Sequence, residues 1–188
     1  MPRHKKLADL ALSTGEAADV LGVHWTRVAR MAAKGQLRRK VLTSAWSPGT
    51  SRAPAVYSLA DCEENYAEYL AMRQNGDPWL RRPRTRLDER ADMLEKLRHV
   101  PQITFDDAVG TGEAAEALRI EPSVVVVYAE RGWIIGRKPV DRGRAAADSK
   151  SRWWILSQQG IDERRQRVID AELTGSKSGV RKFFEDAG

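Results

Sequence analysis

The sequence predicts a mainly α-helical fold with small β-hairpins, built as two tandem domains joined by a basic arm and a helix. Three observations predict it. The chain has 188 residues, which suits one ordinary domain or two small ones. Thr14-Gly15-Glu16-Ala17-Ala18 returns as Thr111-Gly112-Glu113-Ala114-Ala115, an offset of 97. At that offset Leu21 meets Leu118, Val28 meets Val125, Gly35 meets Gly132 and Leu37 meets Ile134; further on, Tyr57 meets Trp154 and Leu59 meets Leu156. Two copies are too few for a solenoid, so they read as two similar domains. Between them, residues 76–86 break the helical pattern with Pro78 and Pro83, which marks a boundary. The expected division is 1–75, a linker at 76–86, a connecting helix at 87–99, a second domain at 100–173 and a tail at 174–188.

Each element has a local reason. Thr14 is placed to cap a helix whose apolar positions include Ala17, Ala18 and Leu21. Gly22 suits a left-handed terminus, and His24 stands where the next cap belongs. The second helix then runs to about Lys34, with Val28 and Met31 inward, and Gly35 ends it. Two short helices across a tight turn make a helix-turn-helix. Arg39–Trp46, a Pro/Gly/Ser-rich tip and Ala55–Ser58 read as a hairpin. Asp61–Gln74 reads as a helix with Tyr66, Tyr69 and Leu70 as packing residues. Leu87–His99 reads as another, striped with Leu87, Ala91, Leu94 and Leu97. The last, Ile161–Leu173, turns Val168, Ile169 and Leu173 inward.

Charge is segregated. Residues 1–40 carry nine Lys or Arg against three Asp or Glu, and residues 76–86 carry four Arg against Asp77. Residues 137–160 carry six cations against two acids, whereas 100–136 carry two against six. Basic blocks of this kind suit a polyanionic partner. The rest of the composition excludes several classes. No apolar run approaches the roughly 20 residues of a membrane helix, and no secretory signal is expected at the N-terminus. One cysteine, Cys62, and three dispersed histidines give neither a disulfide nor a zinc cluster. No Gly-rich phosphate loop and no nucleophile–base set is evident, so neither cofactor nor enzymatic activity is expected.

Thr14-Gly15-Glu16-Ala17-Ala18, Leu21-Gly22-Val23, Val28, Arg30 and Lys34-Gly35-Gln36-Leu37 resemble the DNA-binding domain of MerR-type and phage excisionase-type proteins. The resemblance covers about residues 12–59, and more weakly 109–156. It implies two winged helix-turn-helix domains, with the second helix in the major groove and the hairpin as wing. In size and layout the chain is similar to the immunity repressors of temperate actinobacterial phages. That implies a transcriptional repressor in the bacterial cytoplasm, at the nucleoid, binding short asymmetric operators in double-stranded DNA as a monomer. An excisionase that bends DNA beside an integrase, or a DNA-tethered protein-interaction module, is the alternative.

The candidate contacts follow from residue chemistry. In the first copy they are His24, Trp25, Thr26, Arg27, Arg30 and Lys34, with Arg39, Lys40 and Arg52 in the hairpin. Arg pairs bidentately with guanine, Thr touches a thymine methyl, and Trp either packs on a base edge or stays a packing residue. Arg81, Arg82, Arg84 and Arg86 in the arm suit phosphates or a minor groove. The second copy's equivalent helix is different: Glu121 to Arg131 holds four valines, two acids and no cation before Arg131. It is expected not to read DNA, with Val124 and Val127 packing on protein. Its contacts are expected instead from the hairpin, at Arg137, Arg142, Arg144, Lys150 and Arg152. Of Trp153 and Trp154, one is expected in the core and one outside.

Overall fold

The computed structural model describes residues 8–43, 54–74, 87–140 and 153–173. The protein is mainly helical with small antiparallel sheets. The first copy runs β1 (Ala11–Ser13), α1 (Thr14–Leu21), α2 (Trp25–Ala33), β2 (Arg39–Val41), β3 (Ala55–Ser58) and α3 (Leu59–Gln74). After α4 (Leu87–Arg98), the second copy repeats the order: β4 (Ala108–Val109), α5 (Thr111–Leu118), α6 (Pro122–Glu130), β5 (Gly136–Arg137), β6 (Ile155–Ser157) and α7 (Gln158–Leu173). The sheets are ordered β1-β3-β2 and β4-β6-β5. No helix among the described residues is long and apolar enough to cross a membrane.

The offset of 97 holds from α1 to β2 and then changes. Leu12 pairs with Tyr57, while its equivalent Val109 pairs with Leu156. Arg39 also pairs with Tyr57, and its equivalent Gly136 with Leu156. Tyr57 therefore corresponds to Leu156, not to Trp154, and the offset is now 99. The third helices keep it, at Leu59–Gln74 and Gln158–Leu173. The second hairpin is two residues longer than the first, and a gapless comparison hides that.

Local chemistry explains the helix ends. Ser13, not Thr14, caps α1: its Oγ accepts from Glu16 N at 3.2 Å, and Glu16 Oε2 accepts from Ser13 N at 2.6 Å. This reciprocal pair satisfies two donors at the helix start. Gly22 takes φ 63° and ends α1 in the left-handed region; in the second copy Arg119 does so at φ 54°. Both third helices start two to three residues earlier than the sequence suggests. The reason is a shared cap: Ser58 Oγ accepts from Asp61 N, and Ser157 Oγ from Gly160 N.

The sheets gain a third strand that hydropathy does not reveal. Leu10-Ala11-Leu12 shows no alternation because both of its faces are buried. Leu12 and Tyr57 face the helices of their own copy, joined by Leu10, Val20, Val28 and Leu59, with Met93 and Leu97 of α4 closing that core. Ala91 is exposed, so the buried stripe of α4 is Met93 and Leu97. Cys62 lies in the same core, where burial pushes its thiol up to about 12. In the second copy Val109, Val125, Ala129, Leu156 and Ile161 form the equivalent core. Val125 is the buried valine of α6; Val127 is exposed and Val124 half-buried. Ile169 is likewise exposed, because α7 is anchored through Ile161 and Arg164. Trp154 is buried and Trp153 half-buried.

The other faces of the two sheets pack on each other. Ala11 and Val56 join their equivalents Ala108 and Ile155 in one cluster with Leu42, Ile103 and Phe105. Equivalent positions of the two copies contribute polar contacts across this junction. Lys40 Nζ donates to Asp106 O at 3.1 Å, and its equivalent Arg137 reaches Glu16 and Ala11 O. Thr43 O accepts from Gly112 N at 2.9 Å, and Val140 N, equivalent to Thr43, donates to Glu16 Oε1 at 2.8 Å. The same positions in each copy thus reach the other near the start of its first helix, which relates the copies by an approximate two-fold, although the individual bonds differ. Gly110 stands where the first copy has Ser13 because a Cβ there would meet Thr43 O at 2.3 Å. The outer edge of β1 is covered by the chain before β4, through Ala11 N to Ile103 O and Phe105 N to Asp9 O.

Candidate nucleic-acid interface

The sequence of α2 allows one residue to anchor it and frees the rest. Val28 is fully buried, and Met31 and Ala32 are half-buried against the core. Trp25, Thr26, Arg27, Ala29, Arg30, Ala33 and Lys34 are exposed. His24 caps the helix: its Nδ1 lies 2.9 Å from Thr26 Oγ1 and accepts weakly from Thr26 N at 3.4 Å. The Trp25 ring stands 58% exposed, tilted against the His24 ring at 5.3 Å. Beyond its edge against His24, the ring is largely open to solvent. The helix contains no acid, and Arg39 on the adjoining strand is exposed. Among the described residues, none of Arg27, Arg30, Lys34 and Arg39 is held in an ion pair. This face therefore combines free cations, a hydroxyl, a small residue and an open aromatic ring beside a helix N-terminus, the set of groups that suits phosphates and base edges.

Arg38, next to this face, is of a different kind. Its guanidinium donates to Asp61 and to Asp9 Oδ2 at 2.7 Å and to Ser58 Oγ at 2.7 Å, and its backbone N donates to Asp61 Oδ2 at 2.6 Å. These carboxylates raise the Arg38 pKa well above its ordinary value. Burial works to raise the Asp61 carboxyl, but the bonds from Arg38 and Ser58 outweigh it and hold Asp61 below its ordinary value. The network ties β2 to the start of α3 and fixes the strand that follows α2. Sequence reading passed over Arg38. The available signal was Asp61 three residues after a serine, the spacing of a helix cap.

The second copy keeps the scaffold of this face and changes its chemistry. Trp25, Arg27 and Arg30 correspond to Pro122, Val124 and Val127. Pro122 opens α6 at a position that needs no N–H donor. Val127 is 40% exposed, and Glu121 and Glu130 are exposed at the two ends. Glu130 lies 3.6 Å from Lys138 Nζ. Arg131 is drawn over the Trp133 ring at 5.0 Å, and Arg164 over both Trp133 and Tyr128. The Arg38–Asp61 pair becomes Ile135, 51% exposed, against Gly160, where a Cβ would come within 3.3 Å of Ile135.

The remaining expected contacts divide into three groups. Lys40 is half-buried and spends its charge on Asp106 O. Arg137 is a correction: it is 2% exposed, and its guanidinium lies between Glu16, 2.5 Å away, and Ala11 O. Strand alternation turns Arg137 into the junction and leaves Lys138 as the outward cation of the pair. Arg52, Arg81, Arg82, Arg84, Arg86, Arg142, Arg144, Lys150 and Arg152 lie outside the described residues.

A half-open cavity of about 700 Å³ lies between α4, the end of α6 and β5, lined by Lys96, His99, Arg137, Lys138, Val140 and Trp154 among others. Lys96, Arg137 and Lys138 each already have a carboxylate partner, Asp92, Glu16 and Glu130, and His99 Nε2 lies 3.1 Å from Glu95 Oε1. Among the described residues no group of three or more His, Cys, Asp or Glu could hold a metal ion. Comparison with known proteins finds no matching family model, curated protein or solved structure.

Proposed function

We propose that this protein is a sequence-specific double-stranded DNA-binding repressor, whose two copies are winged helix-turn-helix domains. The resemblance stated above narrows the reading to an immunity repressor that occupies short asymmetric operators as a monomer. One observation carries it: the α2 face, on which Trp25, Thr26, Arg27 and Arg30 are exposed and the cations are unpaired among the described residues. Stable occupancy of a promoter by such a face excludes polymerase and needs no cofactor. A single recognition helix reads few base pairs, and a second domain in the same chain adds contacts at high effective concentration without a second protomer.

Selection of binding sites from random duplexes, with sedimentation of the complex, tests the reading. The expected outcome is one chain on a non-palindromic sequence. A palindromic consensus bound by two chains overturns monomeric recognition, and no enrichment overturns DNA reading. A second reading has its own observation. Val127 and Ile135 are exposed and apolar on the second copy, which favours protein contact there, either as a DNA-tethered interaction module or as an excisionase assembling beside an integrase. Sites clustered at an attachment region, rather than dispersed near promoters, favour the excisionase.

A further inference from the structure

Among the contacts across the junction, the Glu16–Arg137 pair has a chemistry of its own. Both side chains are essentially inaccessible, at 0% and 1% exposure. The Glu16 carboxylate is used on both oxygens. Oε1 accepts from Arg137 and from Val140 N at 2.8 Å; Oε2 accepts from Ser13 N at 2.6 Å and from Arg137 at 3.2 Å. Arg137 also donates to Ala11 O at 2.5 Å. The pair thus joins three groups of the first copy, the Glu16 carboxylate, Ser13 N and Ala11 O, to two of the second, the Arg137 guanidinium and Val140 N.

Stability alone does not explain this arrangement. A buried ion pair recovers little more than its desolvation, and apolar residues of similar volume commonly do as well. Directional bonds, however, are satisfied at one relative placement only, whereas the attraction within the apolar cluster of Ala11, Val56, Ala108 and Ile155 is non-directional. The equivalent positions serve as an internal control. Among the described residues, Glu113 only caps its own helix, through Gly110 N at 2.6 Å, and Lys40 makes one bond to a carbonyl. The restrictive half of the junction is the half that grips the N-terminus of α1, the helix whose turn at Gly22 carries α2.

We infer that Glu16 and Arg137 are a positioning pair. They hold the second copy at one orientation to α1 and α2, so that the chain reads a bipartite DNA site at one fixed spacing. This rests on the DNA-binding reading and adds a geometric demand to it. One inserted base pair turns the far element by about 36° and shifts it by about 3.4 Å, given a repeat of about 10 base pairs in 34 Å. A locked chain does not follow that change, and a hinged one does.

The test uses the full chain and a paired variant, Glu16→Gln with Arg137→Met, which removes both charges and keeps volume and an acceptor for Ser13 N. Duplexes carry insertions or deletions of one to three base pairs between the two segments that wild-type protein protects. Wild type is expected to lose about tenfold or more in affinity on a one-base-pair insertion, and the variant to stay within about threefold of its own best site. A variant that keeps the wild-type spacing penalty overturns the inference. A second measurement needs no DNA. Spin labels at Glu64→Cys and Gln166→Cys, both exposed, on a Cys62→Ala background report the distance between α3 and α7. A single narrow distance distribution is expected in the otherwise wild-type chain, and a broader one in the paired variant. A broad or split distribution in the wild-type chain overturns the lock even if the variant fails to fold. If wild type protects no DNA while the distribution is narrow, the DNA reading fails and the lock stands.

Discussion

Helices α2 and α6 have the same length, the same buried valine and the same place between a tight turn and a strand, yet they show solvent opposite chemistry. The first presents Trp25, Arg27 and Arg30; the second presents a proline and valines, bracketed by two acids. Conservation of scaffold therefore does not carry conservation of surface. A fold is fixed by the few residues that face inward, here Val28 and Val125, and by caps and turns. What the fold can bind is set by the residues left over, which drift without cost to packing. The lesson for this chain is that its duplication is structural and its recognition is not.

The comparison breaks most readily at the exposed residues. Arg27→Ala and Arg30→Ala are each expected to remove about 1–3 kcal/mol of discrimination between specific and random DNA. Glu121→Gln and Glu130→Gln, at the ends of α6, are expected to leave that discrimination unchanged. Competition binding checks both, and equal losses from the two helices would erase the distinction. Next come the inward residues, where the copies should behave alike. Val28→Ala and Val125→Ala should each cost about 2 kcal/mol in denaturant unfolding. Only Val28→Ala is expected to weaken sequence-specific binding beyond its effect on stability, because it loosens the helix proposed to read DNA.

Smaller effects sharpen the comparison at the turns. Gly22 and Arg119 hold the same left-handed conformation. A side chain there costs about 1 kcal/mol, so Gly22→Ala should destabilise by about that much and Arg119→Gly should stabilise by as much. Thermal melting of both variants measures the pair. The smallest effect concerns Asp61, which has no acidic counterpart at Gly160. Its carboxyl is held below 3.8 in the folded protein, so its contribution is fully present above that value and is lost as pH falls through the lowered one. Asp61→Asn should therefore lower stability by under about 1 kcal/mol near neutral pH, because Arg38 is half exposed. The difference from wild type should vanish in strong acid.

The helices were legible because their ends are written in residue chemistry. The pentapeptide, Gly22, His24, Pro122 and Gly132 place α1, α2, α5 and α6 to within a residue or two. The third strand was not, because a short strand buried on both faces has no period to detect. The valine run of α6 offers no period either, so sequence could not choose Val125 over Val124 and Val127. The largest misreading was Arg137. Basic composition marks a surface on average, and Arg137-Lys138 gives no hint that one cation turns inward to meet Glu16, 121 residues away. On α2, the sequence did indicate which residues carry free charge, since a nine-residue helix with one strong anchor has little else to bury.

In a symmetric pair of identical chains, every substitution is made twice, and a change that suits one half is imposed on the other. Here the two halves share one chain, so a mutation is made once. Among the described residues Glu16 has Arg137 while Glu113 has no such partner, and α6 holds no Lys or Arg where α2 holds Arg27 and Arg30. Joining the halves end to end removes the requirement that they evolve in step, and each half answers for a separate task.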